Sequence, residues 1–280
     1  MNSFDINRFG RALRWVISVN FRSLLMWTLG LTLGVAMGEL LMRAIIQTTT
    51  PEYPRIITVL AGNILVFVTI GVAVSICNIF VELDKKPRRQ AFLMLPATNL
   101  EKFLAAAVYA TVSGLVMTHL AFIVGDTLRV AFRALFYGDS WNTFVIPELI
   151  KMQPFDGVAS HHSFGYRLMG LAFMVSGIAW LHSFYTLGGT LFRKYAFVIS
   201  SLVLVAGITG LLWYISKYNV VLFRTSYENG VIEKEQIDTM TYMLTAFFAV
   251  FSVVNYWASF RIFKGFELIT KKWMNYDFYK

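Results

Sequence analysis

Residues 56–81 read IITVLAGNILVFVTIGVAVSICNIFV, from Ile56 to Val81, without a charged residue or a proline. A helix rises about 1.5 Å per residue and a bilayer's hydrocarbon core is about 30 Å thick, so about 20 apolar residues suffice to cross it. This run passes that test. Five further runs pass it as well, at 24–46, 103–124, 168–191, 195–215 and 239–263, and proline interrupts none of them. The reading is an all-α, polytopic membrane helical bundle with six transmembrane helices, forming one transmembrane domain over residues 1–280.

Composition agrees with this. Hydrophobic residues make up 57% of the chain and charged residues only 15%, whereas about a quarter of a soluble chain is charged. Aromatic residues reach 16%, as befits a chain with Trp and Tyr at membrane interfaces. The spans carry small residues at Gly30, Gly34, Gly38, Gly71, Gly114, Gly170, Gly177, Gly207 and Gly210. These are expected packing positions, because small residues let helices approach closely in lipid. Gly34 and Gly38 form a Gly-xxx-Gly pair. The one cysteine, Cys77, lies in an apolar run and reads as a small buried hydrophobe.

The net charge is +9. The charges lie mostly between the apolar runs, so the expected partner is the lipid bilayer and its anionic headgroups rather than nucleic acid. Lys and Arg gather on cytoplasmic connections. With the N-terminus inside, that side holds Arg8, Arg11, Arg14 and Arg22, then Lys85, Lys86, Arg88, Arg89 and Lys102, then Arg193 and Lys194, then Arg261, Lys264, Lys271, Lys272 and Lys280. This is the majority of the 25 basic residues, so both termini are expected in the cytoplasm.

The first apolar run starts late and is too long for a signal-peptide core, so no cleaved leader is expected. Ile6, Phe9, Leu13 and Val16 recur at helical spacing beside Arg8, Arg11 and Arg14. Residues 3–20 therefore read as an amphipathic helix lying in the interface, with an ordinary cytoplasmic extension of the first spanning helix as the alternative. In the C-terminal tail, Trp273, Tyr276, Phe278 and Tyr279 suit an anchor at the inner interface. Two longer outer loops are expected at 136–166 and 217–238.

Motifs of soluble enzymes are absent: the sequence has no phosphate-binding Gly-rich loop with Lys, no His-Glu-x-x-His and no paired-cysteine metal spacing. No catalytic residue, cofactor or metal site is expected, and the chain is not read as an enzyme. His161 and His162 are adjacent in an outer loop, and His119 and His182 within spans read as structural hydrogen-bonding groups. Glu39 and Arg43 stand i,i+4 near the outer end of the first span, and Asp126 and Arg129 i,i+3 at the outer end of the third, with His119 seven residues earlier. These five form a candidate outer polar cluster. Equally, they could snorkel to the interface.

The connection after Val81 carries the most information. From Glu82 to Phe103 it reads ELDKKPRRQAFLMLPATNLEKF. Pro87 favours a helix start, residues 88–95 make two turns, and Pro96 ends them. Thr98 and Glu101 have capping-box spacing, in which each side chain takes the other's free backbone N–H. The prediction is a short rigid helix under the membrane, with the third span starting at Thr98.

This loop resembles the permease subunits of type-two ABC exporters, and more closely a group of ABC permease-like membrane proteins of Bacteroidetes-type bacteria. In those permeases an acidic residue precedes a cytoplasmic coupling helix that runs into Leu-Pro-small-Ser/Thr. Glu82, Leu95, Pro96, Ala97 and Thr98 match here, while Arg89 and Gln90 stand where the family often has Gly-Thr. The resemblance implies an inner-membrane exporter subunit. Its ATPase would dock through Glu82, Arg88, Arg89, Phe92, Leu95, Pro96 and Thr98. Its partners would be a separate ABC ATPase subunit and a second permease subunit, identical or related. A non-transporting regulator or assembly factor of the same topology is the alternative. An intramembrane enzyme ranks last, because no paired carboxylates, Ser–Lys pair or multi-His set lies in the spans.

Overall fold

The computed structural model describes residues 4–49, 66–80, 86–138, 144–147, 162–192, 195–228 and 231–265. The chain order is α1 (Ile6–Thr49), α2 (Val66–Cys77), α3 (Lys86–Leu93), α4 (Asn99–Tyr137), α5 (Phe164–Leu191), α6 (Ala196–Lys217), β1 (Phe223–Glu228), β2 (Val231–Ile237) and α7 (Thr239–Lys264). Five of these helices, α1, α4, α5, α6 and α7, are long and apolar enough to cross a membrane. Only Val66–Cys77 and the turn after it are described from the run 56–81, so the rest of that run lies outside the described residues. The same holds for Glu82, Lys85, Arg193, Lys194, His161 and the tail from 266 onward.

The chain divides into two compact units. The first comprises Met1–Ser75 and Leu104–Gln153, the second Ile76–Phe103 and Pro154–Lys280.

In the first unit, α1 is a single helix of 44 residues. The separate interfacial helix expected over 3–20 is therefore not a distinct element. No proline or glycine stands between Asn20 and Leu24 to break a helix, and two polar side chains just before that stretch and at its start bond back onto the helix itself. Asn20 Nδ2 donates to Val16 O at 2.9 Å, and Ser18 Oγ to Trp15 O at 2.9 Å. Small residues bring the helices of this unit together. A Cβ on Gly71 would meet Thr118 Cγ2 at 2.8 Å, one on Gly114 would meet Ser75 Cβ at 2.7 Å, and one on Gly125 would meet Val35 Cγ1 at 2.8 Å. Ser75 Oγ also donates to Ala110 O at 2.7 Å, tying α2 to α4. By contrast, a Cβ on Gly30, Gly34 or Gly38 would meet none of the described residues within 4 Å, and the same is true of Gly170, Gly207 and Gly210. Among the described residues the Gly-xxx-Gly pair makes no contact.

The second unit is built on α5 against α7. Trp180 and Phe248 have ring centroids 5.0 Å apart, Asn255 Nδ2 donates to Ser183 Oγ at 3.2 Å, and Tyr256 Oη lies 2.6 Å from His182 Nδ1. This is the structural hydrogen bond expected of His182. Gly188 lets Ser200 of α6 approach, and Gly189 lets the Cys77 carbonyl approach; a Cβ at either position would collide. Cys77 is buried, as read from its apolar run.

The distribution of polarity is the reverse of a water-soluble fold. Ser183, Thr186, Thr190, Thr241 and Ser259 are fully buried, while Leu33, Leu202, Val205, Val253 and Trp257 are well exposed. Helices in lipid turn apolar side chains outward and bond their polar ones to the backbone one turn back. Thr186, Thr190 and Ser259 do so, to His182 O, Thr186 O and Asn255 O.

Two features differ from expectation. The connection 217–238 contains an antiparallel hairpin, with Phe223 opposite Ile237 and a register shift between Ser226 and Tyr227. Further, α4 runs to Tyr137 instead of ending near 124. It continues through Asp126 and Arg129 because those charges satisfy each other within the protein.

Candidate functional site

The connection between α2 and α4 folds into the short helix the sequence predicts. α3 spans Lys86–Leu93, with Pro87 in its first turn. It ends before the expected Leu95, because a proline disfavours helical backbone at the residue before it, and here that residue precedes Pro96. Leu95 therefore lies in the turn that follows, where its N–H reaches Phe92 O at 3.3 Å.

The capping box at Thr98 is formed. Thr98 N donates to Glu101 Oε2 at 2.8 Å, and Glu101 N to Thr98 Oγ1 at 3.3 Å. Glu101 is fully buried. Lys102, which sequence reading did not single out, donates through Nζ to Leu93 O at 2.6 Å. Its charge thus satisfies a carbonyl at the negative end of α3. The sequence signal was present: a cation sits nine residues past Leu93, next to the Glu of the capping box.

α3 has two unlike sides. Phe92 is only 1% exposed. Its ring lies 6.2 Å from that of Phe263, which stacks on Phe80 at 5.1 Å. Phe103 completes the cluster, 5.7 Å from Phe263 and 5.6 Å from Phe260. Arg89 is buried too. Of the predicted docking residues, Arg89 and Phe92 therefore face the protein's own interior. Arg88, Leu95 and Thr98 are half-buried and Pro96 is exposed. The open side carries Pro87, Gln90, Ala91 and Met94, spaced as one helical stripe, with Met94 83% exposed.

The candidate polar cluster is partly assembled. Glu39 of α1 meets Asp126 and Arg129 of α4. Arg129 donates to Asp126 Oδ1 from Nε at 3.1 Å and from Nη2 at 2.5 Å, and Nε lies 2.7 Å from Glu39 Oε2. Asp126 Oδ2 also accepts the Val145 backbone N–H at 2.9 Å, which holds residues 144–147 against α4. Asp126 and Arg129 are fully buried, so they do not snorkel. His119 does not join them. It is exposed, and its Nδ1 lies 2.7 Å from Leu115 O of its own helix. Seven residues separate it from Asp126 by about 10 Å along the helix axis. The Arg43 side chain lies outside the described residues.

A third cluster was not foreseen. Glu235 of β2 lies 2.7 Å from His162 Nδ1 and accepts the Ser163 N–H at 3.1 Å and the Ser163 hydroxyl. The His162 ring stacks on Tyr166 at 4.8 Å, and Tyr166 Oη lies 3.1 Å from Thr225 Oγ1. The hairpin is thereby fastened to the start of α5. The Ser163 hydrogen bonds, with His162 beside them, hold the Glu235 carboxyl below its ordinary range. Among the described residues no group of three His, Cys, Asp or Glu is placed to hold a metal ion.

Long apolar helices, exposed leucines and buried hydroxyls together describe a polytopic helical membrane protein. No protein-family profile matches the chain, no curated protein matches it, and no solved structure matches it.

Proposed function

We propose that this chain is the membrane-spanning permease subunit of an ABC exporter in a bacterial inner membrane. In this reading it has six spans, with residues 56–81 as the second, and both termini lie in the cytoplasm. α3 is the coupling helix that receives a separate ATPase subunit, and a second permease subunit, identical or related, completes the pathway.

One observation carries the reading. A short helix stands between two apolar segments, held from within by Phe92, Phe263 and the Lys102–Leu93 bond, while a stripe from Pro87 to Met94 is left open. A partner pressing on that stripe would push a rigid element. The capping box at Thr98 makes the start of α4 continuous with it, so movement of α3 passes into α4. The docking face is therefore Pro87, Gln90, Ala91 and Met94, flanked by Arg88, rather than the side bearing Arg89 and Phe92.

Co-purification tests this. The chain is co-expressed with a candidate ABC ATPase subunit from the same genome. Gln90→Glu with Met94→Glu should abolish the complex while leaving the chain folded in detergent. A complex that survives the double substitution would contradict this docking face, and no complex with the unaltered chain would favour a non-transporting regulator or assembly factor.

A further inference from the structure

Trp257, Phe260, Arg261 and Lys264 stand at i, i+3, i+4 and i+7 near the end of α7, hence on one face over two turns. Trp257, Arg261 and Lys264 are exposed and Phe260 is half-buried. Each cation lies over the ring one turn before it. The Arg261 guanidinium carbon is 5.7 Å from the centre of the Trp257 ring, and Lys264 Nζ is 4.9 Å from that of Phe260. The negative face of an aromatic ring attracts a cation, so the two charges are held side by side. Neither forms an ion pair among the described residues.

The second unit itself gives the depth of this face. At the other end of α7, the Asp238 N–H and the Thr241 hydroxyl both donate to Leu222 O, at 3.2 and 2.7 Å, at the foot of the hairpin. From Thr241 to Arg261 the helix rises about 30 Å, the thickness of a hydrocarbon core. With the polar hairpin outside the hydrocarbon, Trp257 comes to the opposite boundary, and Arg261 and Lys264 come to the level of the headgroup phosphates beyond it. The exposed Val250 and Val253 lead up to Trp257 from the hydrocarbon side. The end of α6 is built differently. Lys217 Nζ lies 4.8 Å from the centre of the Trp213 ring and 5.7 Å from that of Tyr218, so one cation is shared between two rings. Two cations three residues apart, each with its own ring beneath, can instead close on one phosphodiester.

We propose that the end of α7 is a binding site for an anionic phospholipid: Arg261 and Lys264 hold its phosphate, and Trp257 and Val253 carry the adjoining acyl chain. The planar fork of Arg261 suits two parallel hydrogen bonds to phosphate oxygens, and Lys264 adds a point charge. The same pair repels the ammonium group of a zwitterionic lipid, so the site selects by net charge. It requires only that α7 crosses the bilayer and is independent of the transport reading.

Native mass spectrometry of the delipidated full chain in neutral detergent tests this, with phosphatidylglycerol and phosphatidylcholine of the same acyl chains as probes. The unaltered chain should retain one phosphatidylglycerol in preference to phosphatidylcholine. Each cation removed should cut that preference about fivefold, so Arg261→Gln with Lys264→Gln should abolish it. Arg133→Gln with Lys217→Gln, which removes as much charge from two other cation–ring pairs, should keep it. Should the first double variant fail to fold, Lys264→Gln alone must still show its own loss. Equal retention of the two lipids by the unaltered chain overturns the proposal, as does a preference that survives the loss of Arg261 and Lys264 or falls equally in both double variants. Displacement of the lipid by free glycerol 3-phosphate at equal concentration also overturns it, since that would assign the cations to a soluble phosphate.

Discussion

Thr98 and Glu101 cap the same helix end reciprocally: the Thr98 N–H bonds the Glu101 carboxylate at 2.8 Å, and the Glu101 N–H bonds the Thr98 hydroxyl at 3.3 Å. This fixes where α4 begins and hence the angle at which the chain leaves α3. Replacing a capping Thr by Ala costs about 1 kcal/mol. Thr98→Ala should lower the thermal midpoint of the purified protein, followed by circular dichroism in detergent, and Thr98→Ser should restore it.

The glycines separate into two groups with opposite expectations. Gly71, Gly114 and Gly189 face another segment so closely that a Cβ would overlap it. Overpacking of this kind costs about 1–3 kcal/mol, so Gly71→Ala and Gly189→Ala should lower the thermal midpoint. Gly30→Ala and Gly34→Ala should leave it the same or raise it, because no described residue lies within 4 Å of a Cβ at either position and Ala is the better helix former.

Much of this division was legible in the sequence and part was not. The ends of α5, α6 and α7 fall within a few residues of the predicted runs, because hydropathy changes abruptly at Leu168, Tyr195 and Phe263. α3 and its cap were legible because proline and capping chemistry are local. α4 was read too short, since Asp126 and Arg129 look like the end of a span until Glu39, distant in sequence, is known to meet them. Phe92 was placed on the wrong side of α3 for the same reason: Phe263, its partner, is far along the chain. The hairpin had a signal that was passed over, the Asn229-Gly230 pair between strand-forming residues.

The buried charges of the first unit should be intolerant of single removal. Breaking a buried ion pair by deleting one partner costs about 3–5 kcal/mol, because the other charge is left uncompensated. Arg129→Met should therefore lower the yield of folded protein in detergent far more than Arg133→Met does. Size-exclusion recovery after mild heating measures the difference.

Attachment of the hairpin to α5 should depend on acid. Ser163, first, and His162 hold the Glu235 carboxyl below its ordinary range. A carboxyl depressed in the folded state adds stability above its unfolded range and loses it as pH falls through the folded value. Hydrogen exchange at residues 223–237 should accelerate as pH drops below the ordinary carboxylate range. In Glu235→Gln that acid-dependent step should be missing, with exchange already faster at neutral pH once the intrinsic pH dependence is removed.

Cysteine cross-linking from α3 puts the proposed docking face to the most direct test. Cys77 is buried, so Met94→Cys supplies an accessible thiol on the open stripe, and Phe92→Cys supplies one on the buried side. With the co-expressed ABC ATPase in native membranes, a short bifunctional reagent should join Met94→Cys to the ATPase, and ATP should change the yield. Phe92→Cys should give no adduct. An adduct from Phe92→Cys and none from Met94→Cys would contradict the docking face, and no adduct from either, with the ATPase present in the same membranes, would contradict the permease reading itself.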